Sequence, residues 1–206
     1  MNYSHAKEQP LPSRIIGLSG SLRTGSLNSR LIEAAGRLAA PGIDLTVFRR
    51  VADIPFFNED SEDAESRGPS AVSALRELVA TADGLLMSTP EYNQSLPAVT
   101  KNLVDWLSRP DDDSVLDGRP VAILGATTGS WGTRLAQKDL RHTLTAAGAL
   151  VMPQPMLFVA RGDESFDAAG RLTDPRLEAR LRELLTAFDE WIALVGQSTP
   201  QIAESA

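Results

Sequence analysis

The sequence predicts an α/β fold of three layers, a five-stranded parallel sheet with helices packed on both faces. Strand and helix patterns alternate along almost the whole chain, the order that a parallel sheet with crossover helices requires. The strand segments are short apolar runs, best seen in Gly84-Leu85-Leu86-Met87-Ser88, as expected of strands buried on both faces. The first of them leads into a loop crowded with hydroxyls, Ser19 to Asn28, and that loop opens a helix.

The elements follow in order. A first strand covers Arg14 to Leu18, and a helix runs from Ser26, a good N-cap, to Ala40, where Pro41-Gly42 stops it. The second strand is Leu45 to Phe48. The segment Pro55 to Glu65 is an acidic loop, its Asn58 to Glu65 part expected to be a solvated face or, in an oligomer, the edge of a neighbour's site, and the second helix spans Pro69 to Ala82. The third strand, Gly84 to Ser88, delivers the chain to Thr89-Pro90-Glu91-Tyr92-Asn93, after which Pro97 opens a helix that ends at Leu107. A polar turn at Asp111-Asp112-Asp113 precedes the fourth strand, Val121 to Gly125. The fourth helix, Thr133 to Ala147, is closed by Gly148. The fifth strand is split between Leu150 to Met152 and Met156 to Val159, and the fifth helix is Pro175 to Val195. The chain therefore divides into a polar tail over 1–13, one folded unit over 14–195 and a small polar tail over 196–206, both tails expected to be flexible.

Composition narrows the function. At 206 residues and 42% hydrophobic content, the chain is long enough for one well-filled domain and short for two. A net charge of −7 argues against nucleic acid or an anionic membrane as partner, since both reward clustered Lys and Arg. The absence of cysteine excludes disulfides, thiol nucleophiles and thiolate metal sites. His5 and His142 lie far apart and make a poor start for a metal site or a triad, so no metal is expected. Residues 1–13 lack the apolar core of a signal peptide, and no run approaches the roughly 18 apolar residues of a membrane span. A cytoplasmic protein with no membrane insertion is the expectation.

The loop after the first strand reads as a phosphate site. A helix starting near Ser26 presents unpaired backbone N–H groups and about half a positive charge, which draw an anion. Ser19, Ser21, Thr24, Ser26 and Asn28 add side-chain donors, Gly20 and Gly25 let the backbone close around a ligand, and Arg23 supplies a full charge. One helix cap needs fewer donors than these. A dinucleotide fold would want G-x-G-x-x-G here and an acid ending the second strand, whereas Asp44-Leu45-Thr46-Val47-Phe48 ends in Arg49-Arg50, which suit at best a 2′-phosphate. A Walker loop would need a lysine, and the segment has none. A monophosphate held among hydroxyls, such as that of FMN, fits best.

In parallel sheets ligands bind at the carboxyl ends of the strands. That rule gathers three loops, the hydroxyl loop, Pro90 to Leu96 and Ala126 to Gly132, around one flat ligand. A receiver domain shares the architecture but needs clustered acids after strand one and an Asp ending strand three, where this chain has Ser19-Gly20 and Thr89-Pro90.

Four segments carry a family resemblance: Gly20-Ser21-Leu22-Arg23-Thr24-Gly25-Ser26-Leu27-Asn28, Asp53-Ile54-Pro55-Phe56-Phe57-Asn58, Thr89-Pro90-Glu91-Tyr92-Asn93 and Lys101-Asn102-Leu103-Val104-Asp105-Trp106-Leu107-Ser108-Arg109. In them the chain resembles the NADPH-dependent FMN reductase family of the flavodoxin-like superfamily, which includes bacterial chromate and quinone reductases. The resemblance implies a strand order of 2-1-3-4-5 and a homodimer or homotetramer. It implies that FMN takes hydride from NADPH or NADH and passes electrons to a small acceptor such as a quinone, azo compound, metal oxyanion or free flavin. By the same resemblance Ser21, Arg23, Ser26 and Asn28 hold the phosphate, with Ser19, Gly20 and Leu27 completing that loop's contacts. Pro90, Glu91, Tyr92 and Asn93 line the isoalloxazine, and Thr127, Thr128 and Gly129 close its other side. No side chain is implied as an acid or base, because the cofactor carries the chemistry.

The chain also departs from that pattern. Gln94 stands where many relatives have Gly or Tyr, and Leu135 and Lys138 stand where some carry an Arg and a Tyr in a network between subunits. Several residues have plainer readings: Glu91 as a solvated charge or a partner for a neighbouring subunit, Trp106 as core or oligomer interface, Trp191 as core, Arg109 as a complement to a helix dipole. A second function class, a non-enzymatic FMN electron carrier, is disfavoured by the 5% aromatic content and the small polar loops, which leave a flavin open to a second planar molecule. An NADP-binding Rossmann domain using Arg49 and Arg50 lacks its glycine fingerprint.

Overall fold

Apolar alternation along each strand builds two cores, one on either side of a parallel sheet. The computed structural model describes residues 11–62 and 68–196. Its strands are β1 (Ser13–Ser19), β2 (Ile43–Phe48), β3 (Gly84–Ser88), β4 (Pro120–Ala126), β5 (Leu150–Val151) and β6 (Leu157–Val159), and every pairing is parallel. The order is β2-β1-β3-β4-β5, with β6 also on β4, which matches the expected 2-1-3-4-5 arrangement. The expected split in the last strand has a local cause. Met152 N–H still reaches Val121 O, but Pro153 and Pro155 have no N–H to give, and pairing resumes only at Leu157 with Leu124.

The helices are α1 (Leu27–Leu38), α2 (Ser70–Ala80), α3 (Ala98–Leu107), α4 (Arg134–Ala146) and α5 (Pro175–Gly196). α1 and α5 cover one face of the sheet, where Ile15, Leu31, Leu86, Leu124, Leu184 and Phe188 are buried. α2, α3 and α4 cover the other, over Leu18, Leu75, Leu85, Met87, Leu103 and Leu140. Ile15 and Ile16 fall in different cores, as do Leu85 and Leu86, which is why both strands read as unbroken apolar runs. Each fully buried side chain of this size contributes about 1.5–3 kcal/mol.

Several boundaries shift by a residue or two. Ser13, expected in the tail, begins β1, with its N–H on Gly42 O. Gly196, the expected start of the other tail, is the last residue of α5. Residues 1–10, 63–67 and 197–206, with the rest of both tails and part of the acidic loop, lie outside the described residues. Arg109 does more than complement a dipole. Its guanidinium bonds Glu62 at 3.0 Å and Asp111 at 2.8 Å and reaches Glu59 at 3.4 Å, and the bond to Glu62 raises its pKa further. The described part of the acidic loop is thereby anchored to the end of α3. Trp106 is core, and its indole N–H donates to Pro55 O at 2.8 Å. Trp191 is only partly buried at the edge of its core, with its N–H on Leu150 O.

One polar side chain joins the strand ends. Asn28, in the first turn of α1, is 3% exposed. Its Oδ1 accepts from Ser88 Oγ at 2.8 Å and from Ala126 N–H at 2.9 Å, and its Nδ2 donates to Ala126 O at 2.9 Å. Asn28→Ala would leave three buried polar groups without partners. It is expected to lower unfolding free energy by about 2–4 kcal/mol in urea titrations, and a loss below about 0.5 kcal/mol would contradict this role.

Candidate active site

The hydroxyl loop begins as a continuation of the sheet. Gly20 N–H donates to Ser88 O at 2.7 Å, so the chain leaves β1 still paired to β3. Only glycine fits there, because a Cβ would lie 2.0 Å from Thr100 Oγ1 on α3. Ser26 caps α1: its Oγ accepts from Ser29 N–H at 3.3 Å and its own N–H donates to Arg23 O at 3.1 Å. The N–H groups of Leu27 and Asn28 have no partner among the described residues.

Charge at this point is unbalanced. The first turn of α1 contains no acid. Arg23 is exposed, and its guanidinium has no hydrogen-bond or ion-pair partner among the described residues. The same holds for Arg30, half-buried in that turn, whose Nη2 lies 3.5 Å from where a Cβ of Gly25 would stand. Two cations beside the positive end of a helix dipole repel it and each other unless an anion joins them. The donor set is that of a phosphate cradle, and a phosphate monoester fits it. Arg30 was not among the expected residues, although a basic residue placed against the dipole of a first turn is a signal legible in sequence.

The remaining residues of this loop divide by direction. Ser21 Oγ takes a long 3.4 Å bond from Arg23 N–H and is otherwise free to meet a ligand. Ser19 Oγ is bonded to Ser29 Oγ at 2.9 Å, on the α1 side of the sheet. Leu27 packs against the α1–α5 core. The Asn28 amide is committed to the strand ends, so its part in the loop is to fix the helix start, with one amide N–H left over.

The second loop is held from both sides. Thr89 N–H donates to Leu124 O, and Thr89 Oγ1 shares a 3.1 Å hydrogen bond with Thr100. Tyr92 and Ser95 exchange both backbone bonds across a two-residue turn in which Asn93 has φ 51° and Gln94 has φ 63°. Such a turn favours Asn-Gly, so Gln94 is held in a left-handed conformation that costs about 1 kcal/mol. Glu91 turns its carboxylate away from the loop. Its Oε2 accepts from Leu135 N–H at 2.8 Å and Ala136 N–H at 3.0 Å, capping α4. Ser95 Oγ adds a 2.7 Å bond to Asp139 on the same helix.

The third loop is tied to the segment after β6. Thr127 N–H donates to Val159 O, Gly162 N–H to Thr127 O and Arg161 N–H to Gly129 O. Thr127 Oγ1 accepts from Gly129 N–H at 3.2 Å, while Thr128 and Gly129 remain exposed. Trp131 is 79% exposed. The backbone beneath it is fixed: Arg134 Nε donates to Trp131 O, its guanidinium lies 4.6 Å from the Phe158 ring centre, and Gly132 packs on Phe158 at φ 71°. The structure thus brings all three loops to the carboxyl ends of β1, β3 and β4, with exposed Tyr92 and Trp131 on them. Among the described residues no His, Asp or Glu cluster is suited to a metal, and no helix is long and apolar enough to cross a membrane.

Residues 13–164 match the family described as NADPH-dependent FMN reductase. An NAD(P)H-dependent FMN reductase of Pseudomonas aeruginosa is 39% identical over 180 residues, which are 87% of this chain and 95% of that protein. A quinone reductase of Escherichia coli K12 is 35% identical over 183 residues, 88% of this chain and 96% of its own. Among solved structures, the flavoenzyme NAD(P)H:(acceptor) oxidoreductase FerB from Paracoccus denitrificans matches with a TM-score of 0.79 at 32% identity, over 88% of this chain and 98% of that one. Because the matched segment runs from β1 to the turn after β6 and takes in all three loops, the chain belongs to the NADPH-dependent FMN reductase family, a family of oxidoreductase enzymes.

Proposed function

We propose that this protein binds FMN at the three loops and uses NADPH or NADH to reduce a small-molecule acceptor, a quinone foremost. The observation that carries the reading is the uncompensated positive charge at the start of α1, where Arg23, Arg30 and two free N–H groups await an anion. Ser21, Ser26 and Arg23 hold the phosphate, with Arg30 as a second charge behind Gly25. Pro90 to Asn93 present backbone along the ring, held in place by Glu91 and Ser95 on α4, and Thr127 to Gly129 close the opposite side. FMN supplies the hydride-accepting ring. The chain's own part is to orient that ring and to leave one face open to the nucleotide and then to the acceptor. The similarity to an NAD(P)H-dependent FMN reductase and a quinone reductase supports the substrate classes. Exposed Tyr92, Trp131 and Leu135 beside the open face support a homodimer or homotetramer in which α3 and the Pro90 to Pro97 loop lie at or near the contact.

Purified protein is expected to take up about one FMN per chain, to prefer it to riboflavin, and to lose its visible flavin absorbance on anaerobic addition of NADPH or NADH. Arg23→Ala should weaken FMN binding about tenfold by removing a charge-assisted bond. Equal affinity for FMN and riboflavin would refute the phosphate assignment.

Trp131→Ala is expected to brighten bound-flavin fluorescence and to change the Michaelis constant for nucleotide or acceptor, since an indole stacked near the ring contributes about 0.5–1.5 kcal/mol. If both quantities keep their wild-type values while flavin stays bound, Trp131 is outside the site.

Light scattering at micromolar concentration should return at least a dimer mass. A monomer with full reductase activity would overturn the oligomer.

A further inference from the structure

The hydroxyl loop has a second flank. β1 lies between β2 and β3, so one side of the loop faces the other two loops of the site, and the opposite side faces the end of β2. On that far side is a polar hollow of about 240 Å³. Hydroxyls of Ser19 and Ser29 enter it from β1 and α1, Glu33 stands one helical turn beyond Ser29, and Arg49 closes it from the end of β2. Beside it is a second, apolar hollow of about 280 Å³, lined by Val99, Leu103, Ile54 and Phe56. The two share Leu22, Val51 and Ala52 as walls. Leu22 is 55% exposed and Phe56 is 78% exposed, so both of these large apolar side chains of the apolar hollow are accessible to a ligand.

We infer that these adjoining hollows take the adenosine end of NADPH, with the purine against Phe56 and Leu22 and the 2′-phosphate on Arg49. The inference rests on the reading of NAD(P)H as reductant. An apolar slot next to a hydroxyl-lined, charged one is the pairing that an adenosine phosphate requires, a flat aromatic base joined through ribose to an anion. Arg49 and Glu33 form an exposed two-bond fork, Nε to Oε1 at 2.8 Å and Nη2 to Oε2 at 2.9 Å. Such a surface pair is weak, and a phosphate dianion competes for the guanidinium. Glu33, once released, accepts from a ribose hydroxyl. An arginine for the 2′-phosphate is the device by which nucleotide sites accept NADPH, and here it stands at the end of β2. Ser21, Arg23 and Thr24 also border the hollow, but Ser21 and Arg23 belong with the flavin phosphate, so Arg49 is the cation that tests the idea.

The test titrates the FMN-loaded full chain with adenosine 2′,5′-bisphosphate and, separately, with 5′-AMP, by calorimetry. Wild type should bind the bisphosphate at least about tenfold more tightly than 5′-AMP. Arg49→Ala should erase that preference, and Phe56→Ala should weaken both probes alike. Both side chains are exposed, so both variants should fold, with circular dichroism as the check. A separate FMN titration should be the same in wild type and both variants. Wild type without a preference, or Arg49→Ala that keeps it, overturns the phosphate assignment. Phe56→Ala with unchanged affinity overturns the purine slot, and lost FMN binding in Arg49→Ala shows that the hollow serves the flavin instead. A chain that takes up no FMN refutes the reductase reading, while the nucleotide titration of that chain still decides this one.

Discussion

The geometry of the site rests on the amide of Asn28. An amide carries a donor and an acceptor a short distance apart, and here both are used on Ala126 while the oxygen also takes Ser88. The first turn of α1 is thereby locked against the ends of β3 and β4, the two strands that feed the other loops of the site. A side chain that only accepted or only donated could not hold both groups of Ala126. The cost of exchange is high because all these groups are buried and none could turn to water.

With the strand ends fixed, the loops brace one another. Thr100 presses on Gly20 and shares a hydrogen bond with Thr89, so α3 sets the position of two loops at once. Glu91 and Ser95 fasten the Pro90 to Leu96 loop to α4, and the Thr127 to Gly129 segment is tied to the turn at Arg161 and Gly162. A flat ligand needs walls that do not relax when it leaves, and each of these loops is braced by hydrogen bonds to neighbouring elements. Local strain at Gln94 is tolerated because Tyr92 and Ser95, on either side of the two-residue turn, are paired.

Electrostatics separates what is built from what is waiting. Glu91, placed at the start of α4, compensates the dipole of that helix, whereas α1 has cations where an acid would be stabilising. Two helices that begin at the same edge of one sheet thus differ in sign at their starts. The unbalanced one lies next to the hydroxyls.

The sequence by itself determined the architecture, because periodicity and chain order are local: alternating elements, two-sided apolar strands and the split last strand were all legible. It also marked the candidate anion loop, since Ser, Gly and Arg at the start of a helix act over a few residues. What only the tertiary structure decided were the partners of polar side chains. Glu91 reads as a ring-lining residue or as a solvated charge until α4 is brought 44 residues back to it and takes its carboxylate as a cap. Asn28 reads as a loop donor until Ala126, 98 residues away, takes its amide. Arg109 reads as a helix-end charge until Glu59 and Glu62 meet it. Hydrophobic patterning is a property of neighbours along the chain, but a hydrogen-bonding group takes whichever partner the completed fold delivers within about 3 Å, and sequence spacing does not encode that distance.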